Sequence, residues 1–106
     1  MYLQLLKFLL KYNIYIKYNN IIYNIFKNNK ELNILYIYLN KLHDKYKRDL
    51  SFEEYSLYVL TNCPEKDRDV LNKLLTGVKE IDTSSCVIED IIQDVQNKQK
   101  AYDLAI

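Results

Sequence analysis

The chain has 106 residues, of which 49% are hydrophobic and 27% are charged, and it contains one glycine and one proline. This length allows one domain with a modest core. The apolar content is too high for an intrinsically disordered protein. The scarcity of turn residues disfavours a β-sandwich or β-barrel, and a single glycine excludes a Gly-rich phosphate-binding loop.

Charge divides the chain between Arg48 and Asp49. Residues 1–48 contain nine Lys/Arg and two acidic residues, a net charge of +7, whereas residues 49–106 contain six and twelve, a net charge of −6. The overall charge of +1 therefore hides two halves of opposite sign. We expect these halves to attract each other, or to attract the opposite ends of neighbouring copies.

Three helices are predicted in the first half, over residues 2–12, 14–26 and 30–46, because apolar residues recur at helical spacing. The start of the second is ambiguous, since residues 14–18 could also form a strand, but its later residues favour a helix. The third has one apolar stripe, formed by Leu32, Leu35, Leu39, Leu42 and Tyr46.

The second half begins with a capping box at Ser51 and Glu54, which predicts a helix running to about residue 60 or 61. Pro64 predicts the start of the next helix. Two stripes with the three- and four-residue steps of coiled-coil seams follow. They are joined by a turn at residues 82–85, which ends in the capping residue Ser85. Their members are Leu71, Leu74, Val78 and Ile81, then Ile88, Ile92, Val95, Gln99, Tyr102 and Ile106.

These elements predict an all-α fold, in which residues 1–62 form a small helical bundle head and residues 63–106 form a two-helix antiparallel hairpin. The second stripe still continues at Ile106. We interpret this as the truncation of a longer protein, because natural domains seldom end within a helix. The alternative is a stand-alone small protein whose last helix frays.

Few residues could support catalysis or metal binding. His43 is the only histidine, and Cys63 and Cys86 have no close Cys or His partner, so we expect no zinc site and two reduced thiols. His43 is expected to be partly buried or at the surface. The acidic pairs Glu53-Glu54 and Glu89-Asp90 lie in first turns of helices, where capping explains them better than acid–base chemistry. No catalytic, cofactor or metal site is predicted.

A basic and aromatic stretch is the main candidate for binding. Lys41, Lys45, Lys47 and Arg48 could contact phosphates, form a solvated face or attract the acidic half. Eight of the eleven tyrosines lie in residues 1–48. Coding bias in an AT-rich genome explains this enrichment simply, and stacking on single-stranded nucleic acid is the functional alternative.

Several segments carry a family resemblance. Residues 5–10 form an apolar opening helix, Phe26 precedes the third helix, and residues 39–46 have the apolar pattern of its end. Residues 50–55 match a turn and a capped helix, and residues 88–105 match a closing hairpin helix. In this order they resemble the N-terminal domain of hexameric replicative DNA helicases of the DnaB family, particularly the phage versions.

The resemblance implies a collar module without activity of its own, which supports hexamer assembly and contacts a primase or a helicase loader. ATP and Mg²⁺ would bind only in a separate C-terminal RecA-like domain outside these residues, so no cofactor is expected here. The parent protein would be an ATP-dependent DNA helicase in the cytoplasm of a bacterium or an infected host cell. DNA is a further candidate partner, and no membrane contact is expected.

In that family the hairpins of neighbouring subunits pack together. A hairpin with a stripe on both helices exposes more apolar surface than it can cover alone. We therefore expect self-association through these residues of the hairpin: Leu71, Leu74, Val78, Ile81, Ile88, Ile92, Val95 and Tyr102.

Two other functions stay open. The first is a module that binds single-stranded nucleic acid through its basic, aromatic front, by phosphate contacts and base stacking. The second is a basic helix at residues 1–26 that lies on a membrane surface, although three asparagines interrupt its apolar face. An enzyme with an unrecognised site is the least favoured alternative.

Overall fold

A computed structural model describes the backbone of residues 2–84 and 86–105, and the side chains of residues 2–84 and 86–98. Within these ranges it contains helices and no strand, which confirms the all-α class. The described helices are α1 (Tyr2–Phe8), α2 (Tyr12–Phe26), α3 (Lys30–Tyr46), α4 (Phe52–Asn62), α5 (Glu65–Glu80) and α6 (Ile88–Ala105).

The first predicted helix ends earlier than expected. α1 stops at Phe8, and residues 9–11 form a tight turn in which the Leu10 N–H bonds to the Lys7 carbonyl. A distant segment fixes this turn. The Leu50 N–H donates to the Leu10 carbonyl at 2.8 Å, and the Asp49 carboxylate accepts from the Tyr12 N–H at 2.8 Å. Asp49 thus caps α2 from outside the helix, a tertiary contact that local periodicity does not reveal.

α2 and α3 form an antiparallel pair joined by reciprocal tyrosine–asparagine hydrogen bonds. Tyr15 of α2 donates to the Asn40 side chain of α3 at 2.6 Å, and Tyr36 of α3 donates to the side chain of Asn19 on α2. In each helix the tyrosine and the asparagine are four residues apart and so lie on one face. The ambiguous segment at residues 14–18 is helical, as predicted.

The helix starts in the middle of the chain follow the sequence signals. Asn29 caps α3 by accepting the Leu32 N–H at 3.0 Å. The capping box of α4 is confirmed, because Ser51 accepts the Glu54 N–H and Glu54 accepts the Ser51 N–H. Pro64 occupies the N-cap of α5. The predicted capping role of Ser85 lies outside the described residues.

α1 packs between α5 and α6 and is the centre of the core. Leu5, Leu6 and Leu9 are fully buried, and they belong to one hydrophobic cluster that extends to Val95. Gly77 lets α5 approach closely, since a Cβ atom there would lie 2.8 Å from the Leu3 side chain. The division into a head (residues 1–62) and a separate hairpin (residues 63–106) is not confirmed, because α5 packs most on α1 and α4, and α6 packs most on α1.

Candidate interaction surface

The predicted apolar stripes of α5 and α6 face the interior of the same chain. Among the eight proposed interface residues, five are buried: Leu71, Val78, Ile88, Ile92 and Val95. The expectation of an exposed ridge is wrong for these five, because their side chains are buried within the same chain, where α5 packs on α1 and α4, and α6 packs on α1 and α2. The side chain of Tyr102 lies outside the described residues. A contact with a second copy must use another surface, since the buried residues are reached only by opening the core.

The two remaining stripe residues, Leu74 and Ile81, are half-buried at the edge of an apolar groove. Tyr2, Leu3 and Val70 also line this groove, which encloses about 380 Å³. Lys7 lies nearby, where its ammonium group donates to the carbonyls of residues 79 and 81 at the C-terminus of α5. A cation at this position is favourable because the last carbonyls of a helix carry partial negative charge.

The four predicted phosphate-contact residues are exposed together at the end of α3 and in the turn that follows: Lys41, Lys45, Lys47 and Arg48. Three of them lie over aromatic rings. The Lys41 ammonium is 5.6 Å from the Tyr38 ring centre, and both Lys45 (5.3 Å) and Arg48 (4.9 Å) approach the ring of Tyr46. These cation–π contacts hold positive charge against apolar surface at the protein boundary.

Arg48 is also bound to the start of α4. Its guanidinium group forms a two-point contact with the Glu54 carboxylate, at 2.7 and 3.1 Å. Arg48 holds the pKa of the Glu54 carboxyl below its ordinary value, and the Ser51 N–H acts in the same direction. The contact orders Arg48 and joins the basic half to the acidic half, so the lysines carry most of the uncompensated charge here.

Exposed apolar side chains of α3 and α4 lie next to this basic region. Leu57 is 70% exposed, Tyr46 is 46% exposed and Ile37 is 42% exposed. The ring of Tyr38 meets the ring of Tyr58 edge-on, with centres 5.8 Å apart, between two shallow cavities of about 220 and 270 Å³. We call this surface the α3–α4 strip, and it consists of Ile37, Tyr38, Lys41, Lys45, Tyr46, Leu57 and Tyr58.

Three of the eight tyrosines in residues 1–48 serve the fold instead of the surface. Tyr15, Tyr18 and Tyr36 are buried, and their hydroxyl groups donate to partners within the chain. Of the eight tyrosines in residues 1–48, three are exposed: Tyr2, Tyr23 and Tyr46. The high tyrosine count alone therefore does not create a stacking surface.

His43 is buried and only 1% exposed, deeper than the sequence indicates. Its Nε2 lies 2.7 Å from the Leu9 carbonyl and, in the neutral ring that donates there, carries the proton. The ring stacks on Tyr15 with centres 4.3 Å apart, and Tyr12 lies at 5.5 Å. Burial lowers the pKa of His43 below its ordinary value, although the Leu9 carbonyl opposes the shift. This histidine supports the junction of α1, α2 and α3 and has no access to a substrate.

The acidic half presents charge at the start of α6. Glu89 is engaged within the chain, because it accepts a hydrogen bond from Tyr18, which lowers the pKa of its carboxyl group. Asp90 and Asp94 are exposed, and Val87, just before the helix, is 53% exposed. We call Asp90 and Asp94 the α6 acidic face, and Val87 lies beside it.

Cys63 and Cys86 are free thiols. The described residues contain no cluster of His, Cys, Asp or Glu suited to a metal ion, and within them no helix is both long and apolar enough to cross a bilayer. Comparisons with protein-family models, curated proteins and solved structures found no match to this chain.

Proposed function

We propose that this chain is a helical assembly module that associates with other copies of itself. The observation that supports the proposal is the α3–α4 strip, where Leu57, Tyr46 and Ile37 expose apolar surface beside lysines that have no carboxylate partner among the described residues. Exposed apolar side chains that form a continuous patch mark sites of interaction with a partner. Aromatic residues bordered by cations are also typical of protein interfaces.

The resemblance to the DnaB family gives this proposal its biological setting. In that setting the module belongs to the collar of a replicative helicase and also contacts a primase or a loader. The burial of Val78 and Ile92 changes how such a collar would form. Subunits would meet through the α3–α4 strip, while α5 and α6 hold α1 in place.

Sedimentation velocity over a micromolar to millimolar range tests self-association. We expect the mean mass to rise with concentration. Because burying a leucine contributes about 1.5–3 kcal/mol, Leu57→Gln should weaken association by about tenfold or more. Ile16→Gln is the matched control, since Ile16 is 58% exposed on α2, outside the strip, and should leave association unchanged. A monomer at every concentration would overturn the proposal.

Binding of single-stranded nucleic acid is the second candidate, and one arrangement favours it. The exposed ring of Tyr46 is accompanied by Lys45, so the base of a nucleotide could stack on the ring while the lysine ammonium group contacts the phosphate of that nucleotide. A fluorescein-labelled oligothymidylate provides the probe. We expect its anisotropy to rise with protein at low salt, and the triple variant K45A/K47A/R48A to flatten the salt dependence. Unchanged anisotropy at low salt would exclude this function.

A further inference from the structure

We propose that the α3–α4 strip of one copy binds the α6 acidic face of a second copy, so that the chains assemble head to tail. This inference rests on the proposed self-association and names the two surfaces that meet. The observation behind it is a matched pair of exposed charges. Lys41 and Lys45 lie one turn apart on α3, and Asp90 and Asp94 lie one turn apart on α6.

The spacing of these charges allows two ion pairs at the same time. Residues four apart in a helix are separated by about 6 Å along its axis, and they lie on the same face. The two lysines and the two aspartates therefore have the same separation on the two helices. Docked side by side, α3 of one copy and α6 of another bring both pairs together without a change of backbone.

These four charges are not neutralised by ion pairs within the chain. Among the described residues the single ion pair is that of Arg48 with Glu54. The ammonium groups of Lys41 and Lys45 lie over aromatic rings, and Asp67 lines the same shallow cavity as Lys41 without forming an ion pair with it. Glu89, the neighbour of Asp90, accepts a hydrogen bond from Tyr18. The intramolecular attraction of the two halves thus leaves one basic and one acidic surface unused.

The chain cannot bring the two surfaces together by itself. α6 packs on α1 and α2, whereas α4 packs on α3 and α5, so the acidic face and the strip are carried by different sides of the core. A complementary contact between different surfaces is heterologous, and it repeats from copy to copy until a ring closes or a filament grows. Exposed Val87 lies beside the acidic face and supplies an apolar contact for Leu57 or Ile37.

Charge exchange tests this arrangement. In the variants K41E/K45E and D90K/D94K, like charges face each other, so each should weaken association about 100-fold. The quadruple variant K41E/K45E/D90K/D94K restores opposite charges and should return to within about tenfold of the original affinity. A mixture of the two double variants should also associate, because opposite charges then face each other, although each variant alone associates only weakly. All are compared by sedimentation velocity, with circular dichroism to show that each variant is folded.

A control variant separates this contact from a general charge effect. K27E/K30E makes the same change of charge at exposed positions outside the strip, and it should associate as the original chain does. If the original chain forms oligomers that both double variants retain, the strip and the acidic face are not the contact, while the proposed self-association stands. If the original chain is a monomer throughout, both proposals fail.

Discussion

The two sides of α3 use tyrosines in different ways. On the side that faces α2, Tyr36 is buried and its hydroxyl group is paired with Asn19. On the side that faces α4, Tyr38 is half-buried, with Lys41 over its ring and Tyr58 at its edge. The residues are two positions apart, so helical phase decides whether a tyrosine supports the core or forms part of the surface. Composition alone does not separate these roles.

Alanine substitution on each side of α3 should give the largest contrast. Tyr36→Ala removes a buried ring and should lower the free energy of unfolding by about 3–5 kcal/mol, as is usual for buried aromatic residues. Tyr38→Ala removes a ring that is partly in solvent, and should cost less than half as much. Urea denaturation of the two variants measures the difference. Equal losses would show that the strip is part of the core and not an interaction surface.

Acid should lower the stability of the fold through His43, which lies on the inner side of α3. Its pKa is lowered in the folded chain, so the unfolded chain binds the proton more readily as the pH falls below about 6.5. The contribution of neutral His43 is therefore fully present above that pH, and it is lost as the pH falls toward the folded-state pKa.

The measurement is the urea midpoint of the original chain and of His43→Phe from pH 7.5 to 5. We expect the midpoint of the original chain to fall over this range, and the variant to show a smaller change. His43→Gln keeps a polar group without a proton that titrates, and it serves as the control for packing. The same slope in all three chains would contradict the assignment.

The smallest effect is expected at the outer end of α3. Arg48→Ala removes an ion pair whose side chains are 51% and 34% exposed, and solvent screening should keep the loss of stability below that of Tyr38→Ala. Thermal unfolding at low and high salt checks this, since the difference between the two chains should shrink at high salt. A loss as large as that of Tyr36→Ala would mean that Arg48 organises the core.

Local signals predicted the middle of the chain well. The stripe of α3 and the capping box at Ser51 both act within a few residues, and the structure places α3 at Lys30–Tyr46 and α4 at Phe52–Asn62. The turn at residues 9–11 could not be predicted in this way. It depends on Asp49 and Leu50, about forty residues later in the chain.

The apolar stripes of α5 and α6 show a second limit of sequence reasoning. A seam with three- and four-residue steps predicts that one face of a helix is buried, but it does not identify the element that packs on that face. In this chain α1 and α4 pack on α5, and α1 and α2 pack on α6. Gly77, which from the sequence alone only weakens α5, allows the close approach to α1. The residues of the basic stretch are exposed, and their link to Leu57 and Tyr58 could not be predicted because it depends on the packing of α4 on α3.

The central position of α1 has a consequence for the synthesis of the chain. Leu5 and Leu6 leave the ribosome before α5 and α6, the helices on which α1 packs, have been translated. The leucines of α1 therefore stay exposed to water until residues beyond 65 have been synthesised. Contacts between such distant parts of a sequence slow folding, because a long loop has to close before they form. In a nascent chain that stalls near Asn62, this apolar segment would remain exposed, where it could bind chaperones or aggregate.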